Sequence, residues 1–449
     1  MRPHVGIDFG VMLMAGAQFS WDTVYAPCMR VRRRFAAMTA AAVATVSIVA
    51  LAVVPITPSS AAPEADHAKV TVLTSTAKTP YTPQAINGGT DDYHCTLIDP
   101  KATHNSFIVS SQFFPGSGPS VKEVHHAILF LVPPNLVDAA RTADNGGQGW
   151  TCFGEPPVLG KGLGQFLSMP WLSAWAPGHG KDVMPVGTGT PLPAHSLIIM
   201  QVHYNLLSGD LPVKPRAELD TVAASTGLRP TAIQPLVSTP NIPCPSGVTG
   251  PLCDRKAEIA DLTKRFGTYM ALFDMGMEAI CGKNPSAPPE GNTTTCVWHI
   301  AKSGYIVRVA PHMHLLGTAM SITLNPGTAH AKSLMNVPRY NFDYQKSINL
   351  NKWVKVTAGE TVKVSCTYNP RLAQQLPSLR KLPPHYITWG DGSSDEMCLG
   401  LMWEVPTAAH TQVDWSHPTG GLNIGAVGSG HGAPAWEHSD QTPPSTTTG

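Results

Sequence analysis

The chain has 449 residues, with 31 Lys and Arg against 30 Asp and Glu, a formal charge of +1. That balance excludes a general affinity for nucleic acid or for an anionic membrane surface. Charged residues are only 14%, whereas 42 Pro and 40 Gly far exceed their average combined usage of about 12%, which favours a turn-rich, strand-rich body over a helical bundle.

Residues 1–62 read as an export region. Residues 36–54 (AAMTAAAVATVSIVALAVV) carry no charge and follow Arg30, Arg32, Arg33 and Arg34, and small residues at Ser59, Ser60, Ala61 and Ala62 supply a cleavage site. Translation is expected from Met29, because MRVRRRF leads straight into the apolar run, and Arg32-Arg33-Arg34-Phe35 fits a twin-arginine signal. The Ala-rich run favours cleavage over a lasting membrane span. Cys28 precedes that start. The remaining cysteines, at 95, 152, 244, 253, 281, 296, 366 and 398, form an even set that reads as up to four disulfides after an export signal.

A Thr/Pro-rich leader, residues 63–88, is expected to be disordered. Strand-length apolar runs follow at Phe107 to Ser111, Ala127 to Val132, Leu197 to Tyr204, Tyr305 to Val309, Thr361 to Thr367 and Leu399 to Trp403, each bounded by turn residues. A domain boundary is placed at residues 222–235, giving domains at 89–225 and 226–417. Within the second, Asp254 to Met270 has an N-cap Asp and Ile259, Leu262 and Phe266 at helical spacing, which predicts one short helix. That helix lies in a Cys-rich insertion, 244–296, read as a stapled lid or edge cover. Met270, Met275 and Met277 in it read as core residues. From residue 418 the tail has hardly any apolar mass and is expected to be disordered.

Five of the 18 histidines fall in three short motifs: Val124-His125-His126-Ala127, Gln201-Val202-His203-Tyr204 and Pro311-His312-Met313-His314. His312 and His314, two apart, project from one face of an extended chain and can grip one metal ion. Adjacent His125 and His126 can share an ion only if the backbone bends there, which implies a bulge or strand end. With Met397 these make two donor sets, three imidazoles in one half and two imidazoles plus a thioether in the other. Thioether sulfur is a soft ligand, so the second set argues for copper over zinc, calcium or magnesium.

The strings HHAILF, MQVHYN, PHMHLLG and SSDEMC, in this order and spacing, resemble those of the copper type II, ascorbate-dependent monooxygenases, the family of the peptidylglycine alpha-hydroxylating and dopamine beta-hydroxylating enzymes. The resemblance runs from Asp91 to Trp403. It implies an all-β chain of two antiparallel, jelly-roll-like β-sandwich domains separated by a solvent-filled cleft, each carrying one copper. It also implies that His125, His126 and His203 hold the electron-transfer copper, while His312, His314 and Met397 hold the copper where dioxygen binds and substrate is oxidised. Gln201 falls where the family has a cleft-lining glutamine, Cys366 is paired with Cys398 and Cys95 with Cys152, and ascorbate is the reductant. The pairing of Cys244, Cys253, Cys281 and Cys296 stays open.

The chain also departs from the family. Where the peptide-amidating members place a carboxylate-binding arginine and two polar residues, it has Ala310, Leu399 and Leu401, so a peptide C-terminal glycine is an unfavourable substrate and a small, more apolar molecule is expected. Arg308 is the candidate replacement for the lost arginine. Asp395 and Glu396 are read as structural. The remaining histidines, including His94, His179 and His385, are read as ordinary packing or surface residues, with His179 in Pro177-Gly178-His179-Gly180 singled out among them. The expected activity is hydroxylation of an unactivated C–H bond in a small organic molecule, with dioxygen as co-substrate. The alternatives are a copper carrier or sensor without turnover, and a zinc hydrolase, for which Met397 is a poor ligand.

Overall fold

The computed structural model describes residues 80–407 apart from 117–121, 155, 160–162 and 168, together with 413, 415 and 424–426. The export segment, the Met29 start and the tail histidines His431 and His438 lie outside the described residues. The described chain is mostly β, in four sheets. In the first sheet the order is Trp150–Thr151, Asp91–Ile98, Leu197–Asn205, Val124–Val132 and Trp171–Trp175. Facing it is a sheet built on Ser106–Phe114. A third sheet runs Ala232–Val237, Leu399–Pro406, Gly304–His312 and Ile348–Val356, and the fourth centres on Thr361–Tyr368. Among the described residues, pairings between strands are antiparallel except the short Arg229–Pro230 contact with Thr188 and Gly189. Among the described residues, strands up to Pro230 pair only with one another, and those from Ala232 onward do likewise.

The Leu197–Asn205 strand shows how sequence sets the site. All nine residues are buried, so both faces are covered. Ile198, Met200, Val202 and Tyr204 point into a core shared with the facing sheet. Leu197 and Ile199 point the other way, into a core continuous with the second half, and by the period of two Gln201 and His203 lie on that same face. Each large apolar side chain so buried contributes about 1.5–3 kcal/mol. The two halves therefore share apolar packing around the site.

Four disulfides staple the fold: Cys95–Cys152, Cys244–Cys253, Cys281–Cys296 and Cys366–Cys398. Such bonds persist in oxidising compartments. No helix among the described residues is long and apolar enough to cross a membrane.

Four expectations need correction. The insertion holds two helices, not one. Arg255–Phe266 is capped by the Asp254 carboxylate on the Ala257 amide and ends at Gly267, whose φ of 106° breaks the turn, and Tyr269–Ile280 follows. Met270 and Met277 are core residues, but Met275 is half-exposed. Part of the leader is ordered, because Tyr81 bridges Val213, stacks on His94 and donates to Asp92. Ile424–Ala426 is not free, since it adds to the Thr293–Ile300 edge.

Candidate metal centre

His125, His126 and His203 converge. Their Nδ1 atoms are 2.7 Å (His125 to His203), 3.3 Å (His125 to His126) and 3.3 Å (His126 to His203) apart. The pairing of Val124–Val132 with Leu197–Asn205 shifts register between Val124 and His126. This bulge lets neighbouring histidines face one point. Burial, ahead of the crowding by other imidazoles, holds His125 and His126 well below the usual histidine range, and burial does the same for His203. All three rings are neutral at physiological pH. The other nitrogen of His203, Nε2, donates to Asp91 at 2.9 Å, which leaves the Nδ1 lone pair pointing inward. Burial pushes the Asp91 carboxyl up, while hydrogen bonds from Ser393 and Thr90 pull it down. Tyr93 stacks on His203 with centroids 4.1 Å apart, and its hydroxyl donates to the Asp391 carbonyl.

His312 ends its strand and His314 follows in the loop; their rings are 5.3 Å apart. His312 Nδ1 faces Gln345 Oε1 at 2.7 Å and His314 Nδ1 faces the Asp395 carbonyl at 3.1 Å. Both partners are acceptors, so each ring carries its proton on Nδ1 and offers Nε2. His314 Nε2 is buried with no hydrogen-bond partner. Burial lowers both rings to about 4. Met397 is buried and shares a cavity wall with His312 and His126, and its carbonyl accepts from the Tyr368 hydroxyl. Cys398, the next residue, is held by its disulfide to Cys366.

The solvent-filled cleft implied by the family resemblance is present here only as a cavity. The His125 ring lies 5.4 Å from His314 and 6.3 Å from His312, and His126 lies 5.6 Å from His312. Polar contacts hold the halves together. Ser393 donates to Asp91 through both its amide and its hydroxyl, Tyr93 to Asp391, and Arg308 to Asp182. Arg308 is 1% exposed and committed to Asp182, Val183 and Asn349. It is a strut between the halves and does not line the cavity.

The cavity is about 80 Å³ and is walled by aromatic and aliphatic groups, among them Phe130, Trp171, Trp389, Trp403, Leu399 and Leu401. Ala310 and Gln201 also line it. Gln201 donates to the Cys152 and Gly154 carbonyls, while its own carbonyl oxygen is buried and unpaired. Glu396 accepts from the amides of His314, Leu316 and Met397, so its role is to shape the loop. Asp395 takes both terminal nitrogens of Arg265. A grouping of Glu258, His385 and Asp395 is likewise filled by Arg265.

Sequence reasoning missed Asp91 and Gln345, whose partners are distant in the chain. His179 was read as an ordinary histidine, yet it lines the cavity and donates through Nε2 to the Gln345 carbonyl. His94 is an ordinary packed histidine, stacked on Tyr81 with centroids 3.6 Å apart.

The donor sets fit copper. Metal–imidazole bonds of about 2.0 Å put ligand nitrogens roughly 3 Å apart, as the three Nδ1 atoms are. Residues 284–408 match the family described as copper type II ascorbate-dependent monooxygenase, C-terminal domain. No curated protein matches the chain. Several solved structures are remotely similar. An allantoicase is 9% identical, with a TM-score of 0.18, covering 69% of this chain and 81% of its own. Allantoicase from Saccharomyces cerevisiae is 10% identical, with a TM-score of 0.17, covering 72% and 80%. A fucolectin from striped bass serum is 6% identical, with a TM-score of 0.15, covering 71% and 84%. Likeness at this level carries no argument.

Proposed function

We propose that the chain is an exported monooxygenase of two copper domains that hydroxylates an unactivated C–H bond of a small apolar molecule, with ascorbate or a similar reductant. The carrying observation is that one apolar cavity has His126, His312 and Met397 in its wall. His125, His126 and His203 would hold one copper through Nδ1, and His312 and His314 the other through Nε2, with the Met397 thioether. Copper when bound supplies one-electron chemistry and the activation of dioxygen, and soft sulfur favours the cuprous state needed for it.

The protein's part is placement. The aromatic wall holds the substrate against the His312 side and keeps water out, Cys366–Cys398 restricts Met397, and Glu396 fixes the His314 loop. No side chain is needed as a proton relay. With Arg308 engaged by Asp182, nothing in the wall replaces a carboxylate clamp, which disfavours a peptide C-terminus. At about 80 Å³ the cavity is smaller than the roughly 150 Å³ apolar cavity that accepts a benzene ring, so it suits a molecule of few heavy atoms or the end of a longer one. Export is supported by the four disulfides.

The test is oxygen uptake by copper-loaded protein with ascorbate, across small apolar molecules, amines and glycine-extended peptides, with products followed by mass. Gain of one oxygen by apolar molecules ahead of the other classes is expected. A chain that loads two coppers yet shows only slow, uncoupled ascorbate oxidation would be a carrier instead. Loading with zinc in preference to copper would point to neither.

A further inference from the structure

The loop between the Lys332–Val337 and Ile348–Val356 strands touches both histidine sets. Phe342 stacks on His125 with centroids 4.5 Å apart and planes 16° from parallel. Three residues on, the Gln345 side chain meets His312 Nδ1 at 2.7 Å. The amide is itself held, because its Nε2 donates to the Phe342 carbonyl at 2.8 Å. That bond fixes Oε1 as the atom facing the imidazole, and an acceptor there requires the proton on His312 Nδ1. Gln345 is 2% exposed, so neither bond is exchanged with bulk water.

The loop is anchored from the other half of the molecule. His179 Nε2 donates to the Gln345 carbonyl, and His179 is in turn held by its own carbonyl, which accepts from Trp175 Nε1 at 2.9 Å. Gly178 packs so closely that a Cβ there would stand 2.8 Å from the Asp343 carbonyl oxygen, and its φ is +83°. A second tie comes from Ser347, whose hydroxyl donates to Asp182.

We propose that His179 and Gln345 form a positioning relay, running from the first half through loop 341–347, that holds His312 with Nδ1 protonated and Nε2 turned into the cavity. Both stand in the cavity wall, but this role runs through the His312 ring and not through the substrate. Each acts through the next. The metal consequence rests on the proposed function, in which His312 is a ligand. The orientation of the ring does not, and the two can be separated.

The experiment uses the full chain carrying ¹⁵N-imidazole labels, before and after loading with diamagnetic copper(I), with His312 assigned from a His312→Ala variant. Long-range proton–nitrogen NMR correlations tell which ring nitrogen holds the proton. Copper(I) affinities are read in parallel by competition with a chelator. The relay predicts Nδ1–H on His312 in both states. Gln345→Leu should lose that preference and weaken one of two coppers by tenfold to a hundredfold, the usual effect of removing a ligand's hydrogen-bond partner. The other copper should be unchanged, which also reports that the variant is folded. Gln345→Glu, which keeps an acceptor, should restore the tautomer. His179→Ala should weaken the same copper less, by several-fold, and His179→Gln should recover it. Nε2–H on His312 in the unaltered chain, or full Nδ1–H preference in Gln345→Leu, overturns the relay whether or not copper binds. A chain with the expected tautomer that binds no copper sinks the monooxygenase reading and leaves the relay standing.

Discussion

Removing the Cys366–Cys398 bond should separate a stability effect from a site effect. The bond closes a separation of 32 residues, and both sulfurs are fully buried. Loop-closure entropy for that length gives about 3.7 kcal/mol of lost stability at 25 °C. Cys281–Cys296 closes 15 residues, for about 3 kcal/mol, and lies outside the histidine sets, so it is a control of similar energy. We expect Cys366→Ala/Cys398→Ala and Cys281→Ala/Cys296→Ala to lose comparable stability in urea unfolding followed by circular dichroism. Only the first should weaken copper(I) in competition titrations, because only Cys398 adjoins Met397 and anchors the start of the Leu399–Pro406 strand. Equal copper affinity in the two variants, with both still folded, would refute the claim that the disulfide positions the thioether.

Other expectations follow from the same geometry. Asp91→Asn removes the carboxylate that receives His203 Nε2–H and both Ser393 donors, and should weaken one copper by about tenfold to a hundredfold, measured by competition. Burial pushes Glu396 up to about 8 from an ordinary 4.5, so in the folded state it holds its proton over that window. Its stabilising contribution is therefore full below pH 4.5 and lost as pH rises through 8. Relative to Glu396→Gln, the unaltered chain should lose up to about 5 kcal/mol between those limits, read from urea midpoints at several pH values. Leu401→Ala enlarges the cavity at a cost of about 2–5 kcal/mol of stability and should move the preferred substrate to a larger apolar molecule in the mass-gain assay, with copper affinity unchanged.

The local features were legible and the global closure was not. Gln201 and His203 share a face because strands alternate, and adjacent His125 and His126 demanded the bulge found between Val124 and His126. The capping Asp254 marked the helix start, but Gly267 three residues before Met270 was passed over as its end. Residues that act across the chain left no local signal. Asp91 meets Ser393 over a separation of 302 residues and His179 meets Gln345 over 166, and neither periodicity nor composition encodes such a meeting. Tyr81 lay in a segment whose average composition reads as disorder, although its backbone bridges Val213, its ring stacks on His94 and its hydroxyl donates to Asp92.

Burial also bears on whether the molecule turns over substrate or carries metal. A carrier must surrender its ion, which favours ligands an acceptor can reach. Here His203 and His314 are 0% exposed, and His125 is 3% exposed, beneath Phe342 and Tyr93. The outward nitrogens of His203, His312 and His314 each meet an acceptor of their own, so the inward lone pairs are fixed before any ion arrives. Preorganisation of this kind raises retention and lowers exchange. The wall beside the ligands is largely indole, phenyl and leucine side chains. That combination serves an oxidising centre that must hold its metal and receive a hydrophobic guest, and it works against delivery.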